Sequence, residues 1–180
     1  WNAGFDFGFL KHRITAAIDY YFRESKALLS YVSAPAGSAT TNFLNQNIGT
    51  LENQGVEFNI TARPIVKKDL TWTVNYNVAY NQNKITKLNN DGTMVKTGGI
   101  SGATGNTVQV FKEGYPAYSF LLYEQVYDNA GNPIEGEFVD QNGDGMINDD
   151  DLRVRYSRDP KVTMTLGTTL NWKNWDFGIN

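Results

Sequence analysis

The sequence contains no cysteine and only one histidine, His12. Without cysteine it can form neither a disulfide framework nor a thiolate metal site. His12 lies between Lys11 and Arg13 in what we predict to be a short turn, where an exposed side chain is the expected state. No Ser-His-Asp arrangement can be built on it, and we predict that the chain is not an enzyme.

Long apolar runs and a surplus of positive charge are also missing. No run approaches the roughly 18 apolar residues of a membrane helix, and Trp1–Leu10 lacks the basic and apolar regions of a signal peptide. The 16 basic and 19 acidic residues give a formal net charge of -3, which argues against nucleic acid as a partner because phosphate binding requires a basic surface. Membrane β-strands stay possible, since they alternate apolar and polar residues.

What the sequence has instead is an alternation with a period of two residues. Four stretches show it best: Ile14–Phe22, Val56–Ala62, Leu70–Tyr80 and Val162–Trp172. In the third stretch, one face carries Leu, Trp, Val and Tyr, while the other carries Thr, Asn and Ala. Such alternation predicts antiparallel β-strands with one apolar face, so the predicted fold class is all-β.

Two all-β architectures have strands of this kind, the soluble β-sandwich and the membrane β-barrel. The strands Leu70–Tyr80 and Val162–Trp172 are about as long as the 9–11 residues with which a tilted strand crosses a membrane. Their polar faces suit a wet lumen, and Trp72, Trp172 and Trp175 lie near predicted turns, where aromatic residues meet lipid headgroups. These features favour an antiparallel transmembrane β-barrel segment. A soluble, calcium-stabilised β-sandwich that binds carbohydrate is the alternative.

The connections between the strands fall into two classes. Leu10–Arg13, Ile65–Asp69 and Lys173–Asn174 are short, whereas Val32–Thr50 and Asn83–Pro160 are long. Outer-membrane barrels have short periplasmic turns and long extracellular loops. If the short side is periplasmic, the strand before the second long connection rises and the strand after it descends. A single extra membrane strand therefore does not fit between them.

The predicted organisation has three parts. Residues 1–82 form barrel strands and one outer loop, residues 83–160 form a long extracellular segment with short strands of its own, and residues 161–180 return to the barrel. Strand patterns reach both ends of the chain, and about six membrane strands are too few to close a large barrel. We therefore expect a fragment of a larger barrel.

One motif carries recognisable metal chemistry. Residues 140–145 follow the pattern D-x-[DN]-x-[DN]-G of calcium loops, in which oxygen ligands converge from one tight turn. The flanking residues do not indicate helices, so we predict a structural calcium loop in a β context, with an ordinary pair of turns as the alternative. The predicted ligands are Asp140, Asn142, Asp144, the backbone carbonyl of Met146, Asn148 through a water molecule, and Asp151 at the twelfth position.

Five segments follow one another in a recognisable order: Gly4–Gly8, Ile18–Phe22, Asn53–Ile60, Asn75–Asn81 and Asp140–Gly145. Together they resemble the barrel region of SusC/RagA-type TonB-dependent transporters, and the likeness covers nearly the whole chain. The resemblance implies a location in the outer membrane, with lipid around a plugged barrel. It also implies import of glycan or peptide substrates, a SusD-like surface lipoprotein as partner, and energy from the TonB complex through parts of the protein outside this sequence.

Overall fold

The computed structural model describes the backbone of residues 1–33, 43–88, 94–99 and 107–180, and the side chains of the same ranges except 29–33 and 43–48. Within these ranges the chain forms twelve β-strands and one 3₁₀ turn. The strands are β1 (Asn2–Phe9), β2 (Ile14–Ser33), β3 (Phe43–Lys67), β4 (Leu70–Lys87), β5 (Val95–Gly99), β6 (Thr107–Phe111), β7 (Ser119–Leu122), β8 (Gln125–Tyr127), β9 (Pro133–Phe138), β10 (Arg153–Ser157), β11 (Val162–Trp172) and β12 (Trp175–Ile179); the 3₁₀ turn is Asp149–Asp151.

The strands form three sheets. A six-stranded sheet has the order β1-β2-β3-β4-β11-β12, a four-stranded sheet has the order β10-β7-β6-β5, and β8 pairs with β9. The registers described for these sheets are antiparallel, which confirms the predicted fold class. The direct pairing of β4 with β11 agrees with the expectation that no single extra strand separates them.

The chain divides into two compact units. The wall unit comprises Trp1–Ser25, Leu51–Asn83 and Pro160–Asn180, and it contains most of the six-stranded sheet. The insert unit comprises Lys26–Thr50 and Lys84–Asp159, and it contains the two smaller sheets.

Among the residues that the structure describes, no helix has the length and apolar character needed to cross a membrane.

The alternation in the sequence becomes two opposite faces of the six-stranded sheet. Tyr80 of β4 lies opposite Val162 of β11, and Leu170 of β11 lies opposite Phe177 of β12. Cross-strand partners share a face, and side chains alternate along each strand. The apolar residues predicted for these strands therefore lie together on one face, and the Thr, Asn and Gly residues, apart from Thr168 in β11, lie on the other.

Three strands are longer than the sequence indicates: β2 has 20 residues, β3 has 25 and β4 has 18. The prediction of a loop over Val32–Thr50 is wrong where the structure describes it, because β2 continues to Ser33 and β3 begins at Phe43. The rest of that predicted loop lies outside the described residues. Neighbouring strands that keep pairing satisfy each other's backbone groups, and this tertiary gain outweighs the weak alternation of residues 43–50.

The insert unit has a small core of its own. Val110 and Ser119 are fully buried and face each other across β6 and β7, and Leu121 is nearly buried. The Ser119 hydroxyl donates to the carbonyl of Pro116 at 2.7 Å, so this buried polar group is paired. The short strands predicted within residues 83–160 are present in this unit.

Candidate functional site

The apolar face of the six-stranded sheet is open to its surroundings. Phe5 in β1 is 65% exposed and Phe177 in β12 is 56% exposed, while Met164 and Leu166 in β11 are 65% and 62% exposed. Among the described hydrophobic residues of the wall unit, only Ala16 is buried. A soluble sheet would turn such a face into a core. An exposed apolar surface of this width instead marks contact with a second apolar phase.

One pair of polar side chains on the apolar face is hydrogen-bonded within the sheet. The indole N–H of Trp72 donates to the Thr168 hydroxyl oxygen at 2.7 Å, and that hydroxyl donates to the carbonyl of Thr73 at 3.4 Å. Thr168 is the one non-apolar residue of the face in β11. Satisfying such groups internally is what a hydrocarbon environment demands, since it offers no water as a partner.

Aromatic residues gather at the end of the sheet where β11 turns into β12. Trp172 and Trp175 are directly opposite each other across this turn, and the Lys173 ammonium lies 5.6 Å from the centre of the Trp172 ring. The Lys173 N–H donates to the carbonyl of Asp69 at 2.9 Å, which ties the two adjacent short turns together. Aromatic and basic residues in this arrangement are typical of the boundary between lipid and water.

The opposite face of the sheet is polar and hydrogen-bonded. The Thr61 hydroxyl donates to the side-chain oxygen of Asn75 at 2.9 Å. A shallow groove on this face is lined mostly by polar side chains and suits a hydrated lumen. Its lining residues are Glu57, Asn59, Asn77, Val78, Ala79, Thr163 and Thr165.

One crossing on the polar face was not predicted from the sequence. The hydroxyl of Tyr21 in β2 donates to the side-chain oxygen of Asn81 in β4 at 2.9 Å, so the ring passes over β3, which lies between them. The ring passes at Gly55, where an added Cβ would lie 2.6 Å from the Tyr21 hydroxyl and 2.5 Å from the Tyr80 carbonyl oxygen. A glycine inside an otherwise regular strand is the available signal for such close approach.

The predicted calcium loop is held by its own side chains. The Asp140 carboxylate accepts the backbone N–H groups of Gly143 at 2.6 Å and Gly145 at 2.8 Å. Asp144 accepts the N–H of Met146 at 2.8 Å, and the Asn142 side-chain oxygen accepts the N–H of Asp144 at 3.0 Å. These bonds hold the side chains of the first three predicted ligands against the backbone of one tight turn.

Asp151 closes the loop from the other end. Its side chain is fully buried and accepts the backbone N–H groups of Gln141 at 2.7 Å and Asn148 at 2.9 Å. The N–H donors of Asn148 and then Gln141 lower the pKa of this carboxyl below its ordinary value. Asp151 therefore joins the two ends of the predicted metal loop as a carboxylate.

The remaining predicted ligands are placed differently. The Asn148 side-chain oxygen accepts the N–H of Asp150 at 2.8 Å and caps the 3₁₀ turn, and Met146 is 63% exposed. Within the described part of the chain, no group of three or more His, Cys, Asp and Glu side chains is placed to hold a metal ion. Each carboxylate oxygen that accepts one N–H keeps a further lone pair, so the loop retains oxygen ligands that it can offer to a cation.

Comparison with known proteins gives a match over the whole chain. The family model described as "TonB dependent receptor-like, beta-barrel" matches residues 1–180. TonB-dependent receptor SusC of Bacteroides thetaiotaomicron is 46% identical over 184 residues, which cover 100% of this chain and 18% of the relative. TonB-dependent receptor P3 of Formosa agariphila is 30% identical over 99% of this chain and 19% of the relative. The chain thus spans about a fifth of the length of these curated relatives.

Solved structures share the fold. The structure titled "Structure of the RagAB peptide transporter" superposes with a TM-score of 0.74 at 23% sequence identity, over 98% of this chain and 20% of that chain. The same transporter in its closed-closed state gives a TM-score of 0.72. At this identity the likeness supports the fold alone.

Proposed function

Since the chain belongs to the TonB dependent receptor-like β-barrel family, we propose that it forms part of the wall of an importer of oligosaccharides or peptides. As a member of this family, the chain lies in the outer membrane. The proposed role of the six-stranded sheet is to separate lipid on its apolar face from a hydrated lumen on its polar face.

The open apolar face is the observation that carries this proposal. Moving one large apolar side chain out of water contributes about 1.5–3 kcal/mol. Summed over the face, leaving these side chains in water would forgo a stabilisation comparable to the roughly 5–15 kcal/mol by which domains are stable. Lipid around the sheet supplies this stabilisation. The soluble β-sandwich alternative finds no support, because the face that would be its core is exposed.

The partners are proposed from the family. A SusD-like lipoprotein would capture the substrate at the cell surface, and the TonB complex would supply energy through other parts of the protein. The solved relative is titled a peptide transporter, and the curated relatives are titled TonB-dependent receptors. We further propose that the chain catalyses no reaction, since the relatives that it matches are TonB-dependent receptors.

Import is tested in cells that carry the full-length protein with its partner lipoprotein. Deleting the gene should abolish uptake of labelled oligosaccharides or of labelled peptides, and the wild-type gene should restore it. Inactivating the TonB complex should also stop uptake. A channel for passive diffusion would continue to import after that inactivation. Uptake of both substrate classes that does not change after deletion would refute the proposal.

We also propose that the insert unit lies outside the membrane, as a segment that meets the substrate or the partner lipoprotein. Supporting this, it has its own buried core at Val110, Ser119 and Leu121, and its strands β5 to β10 have three to six residues, too few to cross a bilayer.

Calcium is proposed as a structural ligand of the loop between Asp140 and Asp151. The support is the spacing of oxygen-bearing side chains and their common turn, held by the bonds to Gly143 and Gly145. A bound ion would pin the loop and perform no chemistry. In the full-length protein, calcium should protect the Asn142 region from protease, and Asp140→Ala with Asp144→Ala should remove that protection. Asp128→Ala, in the β8–β9 turn, is the control that should retain it. Protection that is equal with calcium and with a chelator would show an ordinary turn.

A further inference from the structure

Tyr156 is the most exposed large hydrophobic side chain among the described residues, at 85%. It lies in β10 where the register with β7 shifts, between the pairs formed by Arg155 and by Ser157. Its backbone φ is +46°, the left-handed region. A bulge with this conformation ordinarily takes glycine, which adopts it without steric cost.

The backbone gives no reason for a tyrosine at this position. Most other non-glycine residues with positive φ belong to tight turns, as at residues 10–12 and 173. A bulky residue held in the left-handed region is strained, and such strain recurs where a protein holds a ligand. The ring of Tyr156 is therefore presented outward at a cost in backbone energy that glycine would avoid.

The charged side chain that precedes Tyr156 in β10 is already paired. The Arg155 guanidinium lies 2.8 Å from the Glu124 carboxylate, and the Gln141 amide donates to the same carboxylate at 3.0 Å. The pKa of Arg155 is raised mainly by the hydrogen bond and charge of Glu124, and more weakly by the nearby phenol groups of Tyr156 and Tyr115. Because Arg155 and Glu124 neutralise each other, this pair favours a neutral ligand over an ionic one.

A second tyrosine and arginine lie next to each other where β7 begins and β10 ends. Tyr118 also has a positive φ, of +55°, and the Arg158 guanidinium lies 4.0 Å from the centre of its ring. Arg158 is itself paired with Asp159 at 3.3 Å. Tyrosines and arginines in this density are typical of recognition surfaces.

An extended peptide does not fit this edge. β10 is the outer strand of the four-stranded sheet in the described residues, and a peptide binds such an edge by adding a regular strand. The bulge at Tyr156 interrupts the row of backbone groups that an added strand needs.

We propose that Tyr156 is a stacking platform for one ring of a neutral saccharide. The flat C–H face of a sugar ring packs on an aromatic ring, and its hydroxyl groups exchange hydrogen bonds with Arg155, Glu124 and Gln141, which together offer donors and acceptors. The site deepens the proposed import function and rests on it, because it selects saccharides from the two substrate classes and names where they are contacted.

The test uses the full-length transporter with its partner lipoprotein as the sole importer in the cell. The probes are a labelled mixture of neutral oligosaccharides from digested plant and yeast polysaccharides, and a labelled tryptic peptide mixture. Tyr156→Gly should reduce saccharide uptake roughly tenfold, the scale of losing an aromatic anchor. The same variant should melt at or above the wild-type temperature, since glycine relieves the strain.

Two further variants serve as controls. Tyr156→Trp keeps a ring at the bulge and should retain uptake, and Tyr127→Ala removes another exposed tyrosine of the insert unit and should leave uptake unchanged. Wild-type saccharide uptake by Tyr156→Gly, or a lowered melting temperature for it, would overturn the inference. If the wild-type transporter imports the peptide mixture and not the saccharide mixture, the saccharide site is refuted and the proposed import function is retained. Import of neither mixture would overturn both.

Discussion

Gly55 lets a side chain from one strand cross a second strand and bond to a third. The Tyr21 hydroxyl reaches Asn81 only because β3 presents no Cβ at the crossing. The pair thereby joins β2, β3 and β4 on the polar face, where the lumen provides no packed core. At the residue scale, one missing methyl group therefore contributes to the cohesion of the wall.

Adding that methyl group should weaken the wall. Gly55→Ala places a Cβ 2.5 Å from the Tyr80 carbonyl oxygen, a backbone atom that cannot move aside alone. We expect a loss of about 1–3 kcal/mol in stability, the range for overpacking. The measurement is the heating temperature at which the full-length barrel changes from the electrophoretic mobility of the folded form to that of the unfolded form.

Gly178→Ala is the matched control for this change. A Cβ at Gly178 would meet its nearest atoms, on Thr168 and Thr169, at 4.0 Å, which is ordinary contact. This variant should melt like the wild type. Equal melting of the Gly55 and Gly178 variants would show that the crossing contributes nothing.

At the element scale, strand β11 shows how a simple pattern becomes a boundary between two solvents. Val162, Met164 and Leu166 face one side, and Thr163 and Thr165 face the other. The pattern in the sequence and the cross-strand register with β4 give the same faces. What the pattern alone left open is which phase covers the apolar face.

A charge placed on each face in turn tests that assignment. Leu166→Arg introduces a cation on the apolar face near the middle of β11 and should destabilise the barrel by about 2–4 kcal/mol, the cost of arginine near the bilayer midplane. Thr165→Arg places the same charge on the lumen side and should be tolerated. The readout is the amount of folded full-length protein in the outer membrane. Equal amounts of both variants would contradict the lipid assignment.

At the scale of the whole molecule, the two units differ in how many hydrophobic residues they bury. The wall unit has almost no buried hydrophobic residue among those described, whereas the insert unit buries Ile85, Leu88, Val110 and Leu121. The first unit depends on its surroundings for stability, and the second carries its own core. This contrast supports placing the insert unit in water.

The absence of cysteine in this chain allows that placement to be measured. In a cysteine-free form of the full-length protein, Ala130→Cys, in the turn between β8 and β9, should react with a membrane-impermeant maleimide added to intact cells. Asn174→Cys, in the turn between β11 and β12, should react only after the outer membrane is permeabilised. The reverse pattern would show that the long segment faces the periplasm.

The sequence determined the fold class, the two faces of each wall strand and the spacing of the calcium-type loop. These properties depend on local period and turn chemistry, which a single chain displays directly. The sequence-based prediction was wrong over residues 43–50, where it placed a loop and the structure has the start of β3. The strand extends because a neighbouring strand supplies hydrogen-bond partners, and a local pattern does not show them. The sequence also indicated the calcium ligands as successive residues of one loop. Only the fold shows that Asn148 caps the 3₁₀ turn and that Asp151 is buried.

Only the tertiary structure decided the contacts between distant residues. The crossing of Tyr21 over Gly55 and the bulge that turns Tyr156 outward join positions that are far apart in the chain or that depend on a register shift. Such features arise when strands are brought side by side, and their energy depends on close approach rather than on residue type. The sequence supplied the glycine and the tyrosines, and the paired strands gave each of them its role.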